Sequence, residues 1–256
     1  MQATVGSHCL DCAKASRPDV NTRVKLASSR MLTPVTYGLM GANLLVFVLM
    51  GLANSAAFGG GAITPWHGKL GLSRSILQHP TLNVDGSVMD AHGWYRLVTS
   101  GFIHFGVFHV LMNMLLLYQL GMLLERSIGS ARLAAVYFAS LLAGSFGVVL
   151  MGGTGLTGGA SGAVFGLMAC AAVGLHRRGV NVFSTGIGTT LLLNLVLTFT
   201  IRGISIGGHL GGAVCGAICG WVVLAPGWKP LPKWAAWAAP AALAVVSVVG
   251  AMVFAA

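Results

Sequence analysis

The residues of this chain best suited to covalent chemistry are Ser161 and His209, with His109 and Asn113 as polar company in otherwise apolar stretches. A serine hydroxyl is a weak nucleophile until a base takes its proton, and an imidazole is a common base. The apolar stretches hold no carboxylate that would complete a triad, so the expectation is a dyad: Ser161 as nucleophile, His209 as base. The imidazole must then be oriented by packing, and Phe165, one turn after Ser161, offers a ring face. Acyl transfer also needs donors for an oxyanion. Ser161 opens a helical stretch, so its N–H and those just after it lack intrahelical acceptors, and the helix dipole favours negative charge there. Gly158 and Gly159 let the backbone approach a substrate closely. His109 and Asn113, four residues apart and so on one helix face, can donate as well. The expected oxyanion hole is therefore Ser161, His109 and Asn113.

The elements that must position these groups are membrane spans. Of 256 residues, 55% are hydrophobic and 8% charged. A soluble globule needs far more polar surface, and a disordered chain far less apolar content. Stretches of about 20 apolar residues cross a bilayer. Seven are expected: Val35–Ala53, Val107–Leu124, Leu133–Gly152, the short Ser161–Leu175, Thr185–Thr200, Ile206–Leu224 and Trp234–Ala256. A long loop, 54–103, separates the first two and reads as partly embedded in the interface. The first 30 residues are polar and basic without an apolar core, so no cleavable signal peptide is expected.

Depth makes the polar set more telling than its members, since a single His or Asn in a span is often only an interhelical hydrogen bond. At ~1.5 Å per residue, His109 lies about 24 Å above Glu125, Ser161 about 24 Å above Arg177 and His209 about 22 Å above Leu224. All three fall at one level of a hydrocarbon core roughly 30 Å thick. Gly158, Gly162 and Gly166 recur every fourth residue around the start of span four, as do Gly208, Gly212, Gly216 and Gly220 on span six. Small residues at this spacing let membrane helices cross closely. Such a crossing would set the Ser161 hydroxyl beside the His209 imidazole.

Charge sets an orientation and removes competing classes. With the N-terminus in the cytoplasm, the inner side receives 11 of the 15 Lys and Arg residues and the outer side 4. The positive-inside rule favours that arrangement, which puts the C-terminus and the polar level on the extracytoplasmic side. The net charge of +10 is thereby assigned to loops rather than to nucleic acid. The acids are Asp11, Asp19, Asp85, Asp90 and Glu125, none central in a span. Ion-coupled transporters usually carry intramembrane carboxylates, an aspartyl protease needs two, and no His-Glu-x-x-His is present for a zinc protease.

Five motifs in order resemble those of rhomboid intramembrane serine proteases. Trp94-Tyr95-Arg96 resembles the aromatic-Arg signature of the first loop, and His109-x-x-x-Asn113 the second-span motif. Glu125-x-x-x-Gly129 is similar to the motif closing that span, Gly159-Ala160-Ser161-Gly162 resembles Gly-x-Ser-Gly, and His209-x-x-Gly212-x-x-x-Gly216 the sixth-span motif. The resemblance runs from about 33 to 225. It implies an all-α polytopic bundle: a six-helix core in a bacterial cell membrane that cleaves transmembrane proteins without a cofactor. It also implies Ser161 as nucleophile, His209 as general base and acid, and an oxyanion hole from Ser161, His109 and Asn113. His104 matches a first-loop histidine that organises water and hydrogen bonds; Arg96 and Glu125 would be structural. Substrates would be helices that unwind near small residues on the outer side, with loop 200–206 capping the site and span five gating lateral access. Phe165 stands where many bacterial relatives have Tyr, so the ring can still stack but brings no hydroxyl.

The expected organisation is a tail (1–32), a protease domain (33–225), and a linker with a seventh span (226–256) that makes a six-plus-one variant. The tail carries His8, Cys9 and Cys12, three donors where structural zinc usually takes four; some bacterial relatives have a cysteine-rich zinc-binding segment there, of which this set would be half, but no metal site is expected in this chain as it stands. Cys170, Cys215 and Cys219 read as small apolar packing residues. Two other classes compete. A non-catalytic rhomboid-like protein that binds membrane clients would share the fold but commonly lacks the nucleophile or base. A solute transporter needs a polar path through both leaflets, whereas the polar groups here cluster near one. The expected partners are transmembrane substrates and the lipid bilayer.

Overall fold

The computed structural model describes residues 32–89, 91–152, 155–201 and 203–256. The fold described is that of the unit Pro34–Ala256. The Cys9-x-x-Cys12 pair lies outside the described residues. Among the described residues, seven longer helices carry the unit: α1 (Pro34–Ala53), then after the long loop α5 (Val107–Ile128), α6 (Ser130–Met151), α7 (Ser161–Arg177), α8 (Ile187–Thr200), α9 (Ile206–Val223) and α10 (Ala235–Ala255). The loop holds α2 (Pro65–Leu70), α3 (Arg74–Gln78), a hairpin of β1 (Thr81–Leu82) and β2 (Val88–Met89), and α4 (Arg96–Thr99). The hairpin is antiparallel, with Thr81 opposite Met89. Five of the long helices have the length and apolarity to cross a membrane; α7 and α8, at 17 and 14 residues, are shorter. The protein is a multi-pass helical membrane bundle.

Helix ends differ from the sequence expectation where polar residues pack on one another. The second apolar stretch continues a turn past Leu124 to Ile128, and Gly129 (φ 85°) turns the chain directly into α6 at Ser130. Glu125 therefore lies in the last turn of the helix, where its carbonyl accepts the Gly129 N–H at 2.8 Å. Its carboxylate accepts the Ser130 hydroxyl at 2.6 Å, the Val35 and Thr36 N–H groups at 3.0 and 2.8 Å, and the Thr36 hydroxyl at 2.6 Å. Donors at the start of α1 that would be orphaned are thus satisfied by a distant side chain.

The centre is a junction of α6, α7 and α9 built on glycine. A methyl on Gly212 would overlap the Gly162 carbonyl, and one on Gly216 the Gly166 carbonyl. Gly147 of α6 meets Gly207 nearly as closely, and a methyl on Gly144 would fall 2.9 Å from the Gly208 carbonyl oxygen. In lipid such contacts hold helices together by dispersion and close packing, because burial from apolar solvent gives little. Gly158 takes no part in this crossing: it packs against Ile103 and Phe105 of the first loop. Around the junction sit the buried Leu117, Leu133, Val136, Tyr137, Leu167 and Met168. By contrast α8 is peripheral, with only Gly188 and Thr198 buried. Helix α10 packs along α6, with Gly250 against the Phe146 ring. Ala251 and Ala255 share a buried cluster with Leu72, Leu77, Leu97 and Val149.

The first loop is tied down rather than splayed. Arg96 is 1% exposed and donates through Nη1 to the Gly68 and Gly71 carbonyls at 2.5 and 2.8 Å. The Thr99 hydroxyl donates to the Leu70 carbonyl at 2.9 Å, and Ser145 of α6 donates to that of Leu97 at 2.7 Å. Leu72 pairs with Thr157 in an isolated antiparallel bridge, which fastens the loop to the segment that leads into α7.

Candidate active site

Residues 157–160 place the first residue of α7. The Gly159 N–H donates to the Ser100 carbonyl at 2.8 Å, and the Ala160 N–H to His104 Nε2 at 3.4 Å. Gly159 has φ 129°, a conformation that side-chain-bearing residues avoid. The first intrahelical bond of α7 runs from the Val164 N–H to the Ala160 carbonyl at 3.0 Å, so the N–H groups of Ser161, Gly162 and Ala163 precede the ladder. Helix α9 starts with Ser205 as its cap, the hydroxyl accepting from the Gly208 N–H at 3.1 Å. His209 therefore stands in its first turn.

The glycine crossing brings these two helix starts together. Ser161 Oγ and His209 Nε2 are 2.9 Å apart. The imidazole stacks on Phe165, ring centroids 4.1 Å apart and planes 18° from parallel. His209 is buried, whereas Ser161 is half-buried and reachable. Packing is only part of what orients the imidazole: Nδ1 lies 2.7 Å from the Thr198 hydroxyl of α8. Sequence reasoning missed Thr198, because threonines in spans usually bond their own helix; the depth count used for the other helices, extended to span five, would have drawn notice to it.

His109 is held in one tautomer. Its Nδ1 accepts the Phe105 N–H at 3.3 Å, so the neutral ring carries its proton on Nε2. A methyl on Gly159 would fall 2.8 Å from His109 Cε1 and Nε2 and 3.8 Å from Ser161 Oγ. The missing side chain of Gly159 thus keeps open the space that both groups border. Asn113 donates through Nδ2 to the His109 carbonyl at 2.9 Å, leaving the second N–H of that nitrogen uncommitted.

Two loop histidines back this arrangement. His104 is fully buried, with its ring edge-on to His109 at 5.0 Å between centroids. Burial pushes its imidazole down to about 3, so it stays neutral and can accept from Ala160. His67 takes the Thr64 N–H on Nδ1 at 3.1 Å and donates from Nε2 to the His104 carbonyl at 3.0 Å. Burial lowers the pKa of His67 as well. Nothing in the sequence singled out His67, which lies in a loop without periodicity. Arg96 and Glu125 make the backbone and helix-end contacts described above, away from the Ser161 hydroxyl.

A Rhomboid domain family model matches residues 91–226, just over half of the chain. The chain belongs to the rhomboid family. The match covers α4 to the end of α9 and leaves α1 and α10 outside. RHOMBOID-like protein 1 of Arabidopsis thaliana is 43% identical over 81 residues, 32% of this chain and 21% of that protein. Rhomboid protease GluP of Bacillus subtilis is 29% identical over 128 residues, 49% of this chain and 25% of its own length. Inactive RHOMBOID-like protein 8 of Arabidopsis thaliana is 35% identical over 81 residues, 32% of this chain and 23% of that protein. The chain thus spans a quarter or less of each of these three rhomboid relatives. One carries protease in its name and another inactive, so rhomboid membership by itself does not decide catalysis.

Proposed function

We propose that the chain is an intramembrane serine endopeptidase that cuts transmembrane segments of other proteins through Ser161 and His209. The observation that carries the reading is the 2.9 Å between Ser161 Oγ and His209 Nε2, a distance at which a hydroxyl proton passes to the imidazole. The Ser161 oxygen attacks a peptide carbonyl carbon while its proton moves to Nε2. The negative charge on the carbonyl oxygen is met by the free N–H groups at the start of α7, by His109 Nε2–H and by the spare N–H of Asn113. Collapse breaks the C–N bond, and His209 returns the proton to the leaving amine. Water then attacks the acyl-serine ester with His209 again as base, releasing the acid and restoring Ser161. The distribution of basic residues supports a site near the extracytoplasmic side, with the N-terminus in the cytoplasm. The Bacillus relative supports a bacterial cell membrane as its setting.

The test is cleavage of a transmembrane reporter by purified protein in liposomes. Ser161→Ala and His209→Ala abolish cutting; variants that cut as well as wild type would refute the pairing. The relative named inactive motivates a second reading, a non-catalytic protein that binds membrane clients. A folded wild-type sample whose Ser161 does not react with a fluorophosphonate, and which still retains transmembrane clients, would favour it.

A further inference from the structure

We propose that Thr198 is the third member of the site, a positioning residue that holds His209 in the tautomer a base requires, and does so only while α8 is seated. The proposal rests on the protease reading and adds a residue and a dependence to it.

A proton inventory carries the argument. The Thr198 hydroxyl has one hydrogen, and it donates it to the Asn194 carbonyl at 2.7 Å. Towards His209 Nδ1, also 2.7 Å away, the oxygen can only accept. Nδ1 therefore carries the ring proton and Nε2 is bare. Nε2 is the atom 2.9 Å from Ser161 Oγ, so it accepts the serine proton. With no acceptor at Nδ1 the ring is free to carry its proton on Nε2 instead, and that tautomer cannot deprotonate Ser161.

Helix ends add an electrostatic part. Proton transfer makes His209 a cation while the oxyanion forms beside Ser161. Ser161 is at the start of α7, the end that favours negative charge. His209 sits in the first turn of α9, where the dipole opposes a cation. Thr198 is two residues from the end of α8, so its hydroxyl links the imidazolium to a helix C-terminus, which offsets that opposition.

The dependence on α8 follows from burial. Of its 14 residues only Gly188 and Thr198 are buried, and Thr198 is 2% exposed. The helix meets the rest of the bundle with few committed contacts, one of which is this bond. Outward movement of α8 takes the Nδ1 acceptor with it and leaves Ser161 beside an unaligned imidazole.

The experiment compares wild type, Thr198→Val and Thr198→Ser in the liposome assay, with thermal unfolding run in parallel. Valine keeps the shape and removes the hydroxyl; serine keeps the hydroxyl. Thr198→Val lowers kcat roughly 10- to 100-fold, the loss of one hydrogen bond to a charged group, with KM changed less than about twofold. Thr198→Ser stays close to wild type. A Thr198→Val enzyme that turns over like wild type overturns the proposal, as does a folded Thr198→Ser enzyme as slow as the valine variant. If valine prevents folding, 15N spectra of histidine-labelled wild type decide: a proton on Nδ1 of His209 supports the assignment and a proton on Nε2 overturns it. A wild-type chain that does not cut overturns the protease reading and this proposal together; Ser161-dependent cutting that is indifferent to Thr198 overturns this proposal alone.

Discussion

Gly159→Ala is the smallest change that reaches the site through space alone. Two costs follow from the structure. The residue holds φ 129°, and a side chain there costs about 1–3 kcal/mol of backbone strain. The new methyl would also lie 2.8 Å from His109 Cε1 and Nε2, inside the ~3.5–4.0 Å at which carbon contacts are comfortable. The imidazole must swing aside by roughly an ångström to reach that separation, which removes its Nε2–H from the proposed oxyanion position. Loss of one such donor lowers kcat by about 100- to 1000-fold. Gly227→Ala is the control, because among the described residues nothing lies within 4 Å of a methyl there and its φ is not positive. The assay is the initial rate of reporter cleavage in liposomes beside thermal unfolding in detergent. Gly159→Ala loses both turnover and unfolding temperature, and Gly227→Ala keeps both. A Gly159→Ala enzyme with wild-type turnover would show that the space beside His109 is not where charge develops.

Two further outcomes bear on stability. Glu125→Gln presents an amide nitrogen where a carboxylate oxygen accepts one backbone N–H and one hydroxyl. The hydroxyl can rotate to accept, but the backbone N–H of Val35 or Thr36 cannot, and leaving it unpaired costs about 1–3 kcal/mol; an unchanged unfolding temperature would contradict this. For His104, the folded protein holds the imidazole at about 3, against 6.5 for an ordinary solvated histidine. The unfolded chain therefore binds a proton first, so the stability is full above the unfolded value and is lost as pH falls through it towards about 3. By pH 5 the loss relative to pH 8 is about 2 kcal/mol. His104→Asn flattens that stretch of the stability–pH curve, and parallel curves for variant and wild type would refute the account.

Much of the site is legible in the sequence because lipid-facing sequence is so plain. Ser161, His209, His109 and Asn113 stand out as polar residues among leucines, valines and glycines, and the helix rise sets three of them at one level. Phe165 follows from helical spacing. What stays hidden shares one cause: contacts made between elements by residues that also have a local explanation. Thr198 looks no different from Thr190 or Thr200, whose neighbours in sequence are equally apolar. Gly144 and Gly147 read as part of a span, although they are packed against Gly208 and Gly207. Gly158 matches a periodicity that its actual neighbour, Ile103, does not share. Glu125 reads as a helix end and is in the last turn, but the four donors that gather on its carboxylate from α1 and Ser130 are not legible from spacing.

Leu72 has a double attachment with a consequence for the last helix. Its backbone is stitched to Thr157, four residues ahead of Ser161, while its side chain belongs to the buried cluster that includes Ala251 and Ala255. The C-terminal helix lies outside the family match, yet it buttresses the strap on which Ser161 is mounted. Anything that pries this outer stave from the barrel slackens the mounting of the serine without touching it, so a segment that looks like an appendage by homology works as a brace.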